Sequence, residues 1–176
     1  MSATFTTRFQ KALAASIETL LDEWMPGGHE LEVDAETKPI PSWGGRPDVW
    51  VGRKNSKKAS RLPRIVNIEI EHWSGPAQAI RNINWVDDWV KKAGRHRGAV
   101  LHLVHADANL TDSACTDMFS SGIDRRSARF AYDFRVYEVA KHSAPVKLAQ
   151  EMVDRYDFQS LLWQQLRFVR LVDWPR

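Results

Sequence analysis

Residues 7–25 carry hydrophobic side chains at intervals of three and four, the spacing that places them on one face of an α-helix. The pattern predicts an amphipathic helix that ends at residues 26–28, a proline followed by two glycines. Hydrophobic and charged residues then alternate over residues 29–38, as in a half-exposed β-strand. A turn at residues 40–45 leads to a second strand at residues 46–51, so we expect these strands to form a hairpin.

A strand–helix–strand unit is predicted next. Apolar and polar side chains alternate along residues 65–72, and the polar ones on one face are Asn67, Glu69 and Glu71. Residues 76–93 have helical periodicity, with a proline at the first position and a glycine after the last. Residues 98–105 are almost continuously apolar, which is typical of a central strand covered on both faces. The two strands of such a unit are normally parallel.

The last third of the chain continues this alternation of helices and strands. Residues 107–133 are polar and predict a loop with one or two helices, and residues 134–140 alternate as an edge strand. Residues 149–172 have the apolar spacing of a C-terminal helix. Its aromatic side chains either cover the sheet, which we favour, or form the interface of a homodimer. No repeat or low-complexity tract divides the chain, so residues 1–176 are expected to form one α/β domain.

The composition is that of an ordinary globular protein. Of the 176 residues, 43% are hydrophobic and 27% are charged, and no apolar run approaches the roughly 18 residues that a membrane-spanning helix needs. The single cysteine, Cys115, rules out an internal disulfide and fits a reducing compartment. Because the N-terminus has no secretory signal pattern, the expected location is cytoplasmic. The net charge of +3 permits a polyanionic partner without demanding one.

Three carboxylates are expected to meet if the strands at residues 46–51 and 65–72 are neighbours. Glu69 and Glu71 project from the same face of one strand, about 7 Å apart, and Asp48 on the other strand would join them. Like charges this close raise one another's pKa and oppose folding unless a cation neutralises them. Mg²⁺ is the natural candidate because it prefers carboxylate oxygens and water.

These residues resemble the signature of the PD-(D/E)xK nuclease superfamily, which includes restriction endonucleases, junction resolvases and repair nucleases. The matching features are Pro47-Asp48, Glu69-x-Glu71 about twenty residues later, and a helix that begins near Pro76. The resemblance implies a restriction-endonuclease-like mixed β-sheet of four to five strands flanked by helices, with an αβββαβ core. It also implies hydrolysis of DNA with Mg²⁺, or alternatively Mn²⁺, as cofactor. Glu71 departs from the signature, which usually has lysine there, although some type II restriction enzymes resemble this Glu-x-Glu variant.

The resemblance also implies roles for individual residues. Asp48 and Glu69 would hold the metal ion, with the backbone carbonyl of Ile70 as an additional ligand. Glu71 would act as a carboxylate base or help to hold a second ion, since the usual lysine is absent. An acidic residue on the first helix often completes such a site, and Glu18 is the candidate here. The alternative for Glu18 is an ordinary solvated carboxylate.

Basic residues around these motifs are candidates for DNA binding. No acid interrupts residues 53–64, a segment that is longer and more basic than a strand connection needs. Lys and Arg contacts supply most sequence-independent affinity for nucleic acids. An expected position beside the carboxylates favours this function, because carboxylates alone would repel phosphate. The predicted substrate-binding residues are Arg46, Arg53, Lys54, Lys57, Lys58, Arg61, Gln78 and Arg81. The alternatives are a solvated hairpin tip for the segment and ordinary helix surface for the last two residues.

The histidines give a less specific signal. His102 and His105 lie three positions apart on one predicted strand, so they face opposite sides of the sheet and are not expected to share a metal ion. His72, next to Glu71, is a better candidate for a role in activity, although a histidine at a strand end is usually just partly buried and polar.

Three functions are therefore open. We favour a metal-dependent DNA endonuclease, because a DNA-binding module has no use for paired acids that face phosphate. The second is a catalytically degenerate nuclease fold that binds DNA as a module or as a subunit of a larger assembly. The third is a general α/β protein with surface acids. No base-reading motif stands out, so the sequence does not define which nucleic acid is the target.

Overall fold

A five-stranded mixed β-sheet forms the centre of the computed structural model. The structure describes residues 5–35, 47–54, 64–73, 80, 81, 84, 86–88, 90, 91, 97–107, 113–139 and 144–173. The strands are β1 (Leu31–Asp34), β2 (Val49–Arg53), β3 (Ile65–His72), β4 (Gly98–Asp107) and β5 (Phe130–Val139). The helices are α1 (Phe5–Trp24), α2 (Ser113–Ser120), a 3₁₀-helix (Ser121–Arg125), α3 (Pro145–Val153) and α4 (Tyr156–Phe168). The described residues between 80 and 91 are also helical.

The strands lie in the sheet in the order in which they occur along the chain. β1 pairs with β2 and β2 pairs with β3 in antiparallel fashion, whereas β3 and β4, and β4 and β5, are parallel. The predicted antiparallel pairing of the first two strands and the predicted parallel pairing of β3 with β4 are both confirmed, whereas the predicted turn at residues 40–45 lies outside the described residues. The position of β4 between two parallel partners explains its nearly continuous apolar sequence, because both of its faces are covered.

Helices pack on both faces of the sheet, and the alternation of side chains along the strands creates two hydrophobic cores. The larger core joins one face of the sheet to α1, α3 and α4, with Ile17, Ile68, Leu101 and Leu162 fully buried in it. The smaller core lies on the other face, where Trp50, Val86 and Phe119 are among its buried side chains. The aromatic C-terminal segment therefore covers the sheet, as favoured above. No helix within the described ranges is long and apolar enough to cross a membrane.

The prediction of one continuous C-terminal helix is wrong, because α3 ends at Val153 and α4 begins at Tyr156. Arg155 between them has an extended backbone conformation, with ψ of 130°. The reason is the phase of the apolar positions. A continuous helix would follow the buried Met152 and Val153 with residues 156 and 157 on the same face, but Tyr156 is 85% exposed and the buried stripe resumes at Phe158.

The edge strand β5 begins four residues earlier than predicted, at Phe130. Phe130 and Tyr132 are buried in the smaller core, so the alternation predicted from residue 134 onward already starts at Phe130. The charged Asp133 interrupts the apolar residues in the sequence and makes this part of the strand hard to predict. Its carboxylate faces away from the smaller core and forms ion pairs with Arg126 and Arg135. β5 lies at the edge of the sheet, as expected.

The 3₁₀-helix depends on a glycine that approaches β5 closely. A Cβ atom added to Gly122 would overlap three ring atoms of Tyr132, a fully buried side chain. We expect Gly122→Ala to lower the free energy of unfolding by about 1–3 kcal/mol, the usual effect of overpacking a core. Gly27→Ala is the matched control, since nothing lies within 4 Å of an added Cβ there. Urea unfolding of both variants tests this, and equal stability of the two would contradict it.

Candidate active site

Asp48 and Glu69 lie side by side at one end of the sheet, where β2 begins and β3 ends. Val49 is opposite Ile68 in the antiparallel pair, so continuing this register by one residue places Asp48 opposite Glu69. The expectation that these two strands are neighbours is confirmed. The parallel strand β4 ends at the same side of the sheet, and its His102 is in register with Glu69.

Two hydrogen-bond donors hold the Asp48 carboxylate in place. The side-chain amide of Gln10 on α1 donates to Oδ1, and the backbone N–H of Ile70 donates to Oδ2 at 2.8 Å. The first residue of β2, Val49, pairs with Ile68. Ile70 lies two residues beyond this pair, so its N–H has no partner in the backbone of β2. The Asp48 side chain satisfies this backbone group, which a buried strand could not leave without a partner.

Glu69 is a buried acid, with only 8% of its surface exposed. Its Oε1 atom makes no hydrogen bond to any described residue, and the same holds for both polar side-chain atoms of Asn67 on the same face of β3. Burial, and next the negative charge of Asp48, raise the pKa of Glu69 well above its usual range. Glu71 adds to this shift, whereas the nearby Asn67 amide and the Asp48 backbone N–H oppose it.

The pKa of Asp48 is raised as well, although less strongly. Burial raises it, and the hydrogen bonds from the Ile70 N–H, the Gln10 amide and the Glu69 carboxyl offset only part of that effect. No positive charge of a described residue is among the causes of the two pKa shifts. The pair therefore holds a proton at pH values where isolated carboxylates are already ionised.

Glu71 projects from the same face of β3 as Glu69, as predicted, but it is only half-buried. Its negative charge contributes to the raised pKa of Glu69. Among the three motif acids, Glu69 is therefore buried, whereas Asp48 and Glu71 are half-buried.

His102 extends the buried polar row onto the next strand and was missed as a partner of Glu69. It is 1% exposed, and burial lowers its pKa to about 3, so its imidazole is neutral. Its Nδ1 lies 2.8 Å from the hydroxyl oxygen of Tyr132 on β5. The available signal was a polar residue inside a nearly continuous apolar run, but which residues lie beside it depends on the strand register.

The contact of α1 with the acids comes from Gln10 rather than from Glu18. Glu18 lies eight residues further along α1, which corresponds to about 12 Å of helix rise. The structure therefore brings Asp48, Glu69, Ile70 and Glu71 together and leaves Glu18 two turns away from the Gln10–Asp48 contact. The sequence signal for Gln10 was weak, because an amide on a helix surface is common.

The basic segment begins at the opposite end of the sheet from the acids. Arg53 is the last residue of β2, five residues from Asp48 and therefore about 17 Å away along the strand. Arg53 and Lys54 are exposed, and Arg53 lines a cleft with Trp24 and Trp163. The expected position of the segment beside the carboxylates is thus wrong for these two residues. Arg81 is exposed in the helical region after β3. The remaining predicted substrate-binding residues lie outside the described residues: Arg46, Lys57, Lys58, Arg61 and Gln78.

Across the described ranges, no three or more His, Cys, Asp or Glu side chains are grouped closely enough to hold a metal ion by themselves. The site therefore offers two adjacent carboxylates and backbone oxygens rather than a complete side-chain cage. No protein-family model matches this chain, and no curated protein or solved structure is significantly similar to it.

The raised pKa of Glu69 makes stability depend on pH. The native state binds this proton more tightly than the unfolded state, so the stabilisation is complete below the ordinary pKa of 4.5 and is lost as pH rises through the raised value. Glu69→Gln cannot ionise. We expect its free energy of unfolding to fall less than that of the wild type between about pH 4 and pH 8, and to exceed the wild-type value at the upper end.

Urea unfolding at several pH values measures this effect. Glu23→Gln, at an exposed position on α1, is the control and should follow the wild type. Parallel pH profiles for the wild type and Glu69→Gln would show that Glu69 does not titrate as a buried acid.

Proposed function

We propose that this protein is a metal-dependent endonuclease that hydrolyses DNA phosphodiester bonds on a restriction-endonuclease-like fold. The observation that carries the proposal is the pair formed by the buried Glu69 and the half-buried Asp48 at the end of the sheet. Burying two adjacent acids costs free energy, and Gln10 and the Ile70 N–H are used to orient one of them. Such a costly arrangement is typical of a functional site rather than of a structural core.

The donor atoms fit a hard divalent cation. Mg²⁺ and Mn²⁺ bind carboxylate and carbonyl oxygens, and Glu69 offers an Oε1 atom without a hydrogen bond from any described residue. Ile70 would add its carbonyl, because the continued register places it opposite Pro47, whose nitrogen has no hydrogen to donate. A cation would take the place of the proton that the pair otherwise holds.

Each residue has a defined task in this proposal. A bound Mg²⁺ would supply charge neutralisation for the phosphate and lower the pKa of a coordinated water. Gln10 and the Ile70 N–H keep the Asp48 carboxylate in one orientation. Glu71 is half-buried and lies closer to solvent than Glu69, and its carboxylate would accept a proton from the attacking water as a general base.

The topology supports the same assignment. The order α1, β1, β2, β3, a helical region and β4, with an antiparallel meander followed by a parallel crossover, agrees with the αβββαβ core expected from the motif. Arg53 and Lys54 at the other end would contact phosphates about 17 Å from the acids. That distance corresponds to roughly five base pairs of duplex at 3.4 Å per pair, so these contacts would grip DNA away from the cleaved bond.

Cleavage of supercoiled plasmid and branched DNA in the presence of Mg²⁺ or Mn²⁺ tests the proposal. We expect the wild type to cut, and Glu69→Ala to cut at least about a hundredfold more slowly because a ligand of the ion is lost. Glu23→Ala is the matched control on α1. Equal rates for the wild type and Glu69→Ala would refute the assignment of this site.

A second candidate function is a catalytically degenerate nuclease fold that binds DNA. It is favoured by one observation, namely that no positive charge of a described residue is among the causes of the pKa shifts of the two acids, whereas the usual motif has a lysine in place of Glu71. In this case the wild type binds DNA at low salt without cutting it, and Glu71→Lys gains metal-dependent cleavage. If the wild type cuts and Glu71→Gln slows it by about tenfold or more, the degenerate fold is ruled out.

A further inference from the structure

His72 and His105 form a pair on the face of the sheet opposite to Glu69 and Glu71. They are in register on the parallel strands β3 and β4, and their ring centres are 5.0 Å apart with an angle of 52° between the planes. His72 is exposed and His105 is half-buried at the end of the sheet. Neither side chain has a role in the carboxylate site described above.

The spacing of the rings matches that of two imidazoles on one tetrahedral ion. Zinc bonds an imidazole nitrogen at about 2.0–2.1 Å, and the ring centre lies roughly 1.2 Å behind that nitrogen, so two such rings on one ion have centres about 5 Å apart. The angle of 52° also differs from the parallel planes of a stacked pair.

We propose that His72 and His105 bind a borderline transition-metal ion, Zn²⁺ being the best fit, at a site separate from the acidic pair. Imidazole nitrogen suits zinc, whereas Mg²⁺ selects oxygen ligands. The rings of Phe5 and Phe9 each lie 6.4 Å from the His105 ring, and Phe9 is fully buried on that side. His72 leaves the other side open as an entry path for the ion.

The site has open coordination positions. Within the described ranges no third His, Cys, Asp or Glu joins the two rings, so water or a small ligand would complete the coordination shell. Open positions are typical of zinc sites that exchange ligands rather than of closed structural sites. The protein should therefore fold without this ion and bind it reversibly.

Calorimetric titration of the full chain, without an affinity tag, with Zn²⁺ tests the proposal. We expect one Zn²⁺ per chain and an affinity that excess Mg²⁺ leaves unchanged, because Mg²⁺ does not compete for imidazole. His72→Gln and His105→Gln should each weaken binding by about tenfold or more. His29→Gln is the control, since that imidazole lies 3.2 Å from Asp22 at the other end of α1.

Nuclear magnetic resonance of the imidazole groups provides a readout that does not depend on the folding of a variant. In the wild type, Zn²⁺ should shift the resonances of His72 and His105 and leave those of His29 and His102 in place. Absence of Zn²⁺ binding, or binding that survives both His72→Gln and His105→Gln, would overturn the proposal. Binding that is lost in Glu69→Gln but not in the histidine variants would place the ion at the acids and would overturn it as well.

Discussion

The antiparallel register between β2 and β3 is the constraint on which the rest of the candidate site depends. With Val49 opposite Ile68, Asp48 reaches the Ile70 N–H and lies beside Glu69. A slip of one residue would move every side chain of a strand to the other face of the sheet. Such a slip would bring Glu69 into the larger core, where burying an acid without a partner costs several kcal/mol or more. The hydrophobic pattern of both strands therefore maintains the geometry of the acids.

Burial gives the acidic pair its chemical character. Water would keep two neighbouring carboxylates ionised near their usual pKa, whereas here both pKa values are raised and the proton is retained. The same interaction makes the pair a good site for a cation, because a divalent ion removes the repulsion and the cost of burial together. In the proposed nuclease, the cost of keeping the acids in the sheet is then offset when the ion binds.

The elements with clear periodicity were predictable from sequence because their patterns are local. The spacing of apolar residues in α1 and the alternation along β3 define which side chains share a face, whatever their partners are. The break between α3 and α4 was not predictable in this way. The break depends on which apolar residues are buried in the core. Tyr156 is a large aromatic residue that would be expected in the core, yet it is exposed to solvent. Arg53 and Lys54 were misplaced because the two ends of a strand lie at opposite ends of the sheet.

The class of the fold, the central position of β4 and the shared face of Glu69 and Glu71 are already evident in the sequence, since each follows from short-range periodicity. Which residues from distant segments meet depends on how the whole chain packs. Gln10 against Asp48, His102 beside Glu69 and His105 beside His72 are all contacts across elements. These contacts depend on strand register and on the position at which a helix packs against the sheet. Register and helix position are set by the packing of the whole chain, because the folded state minimises the exposure of apolar surface over all elements together.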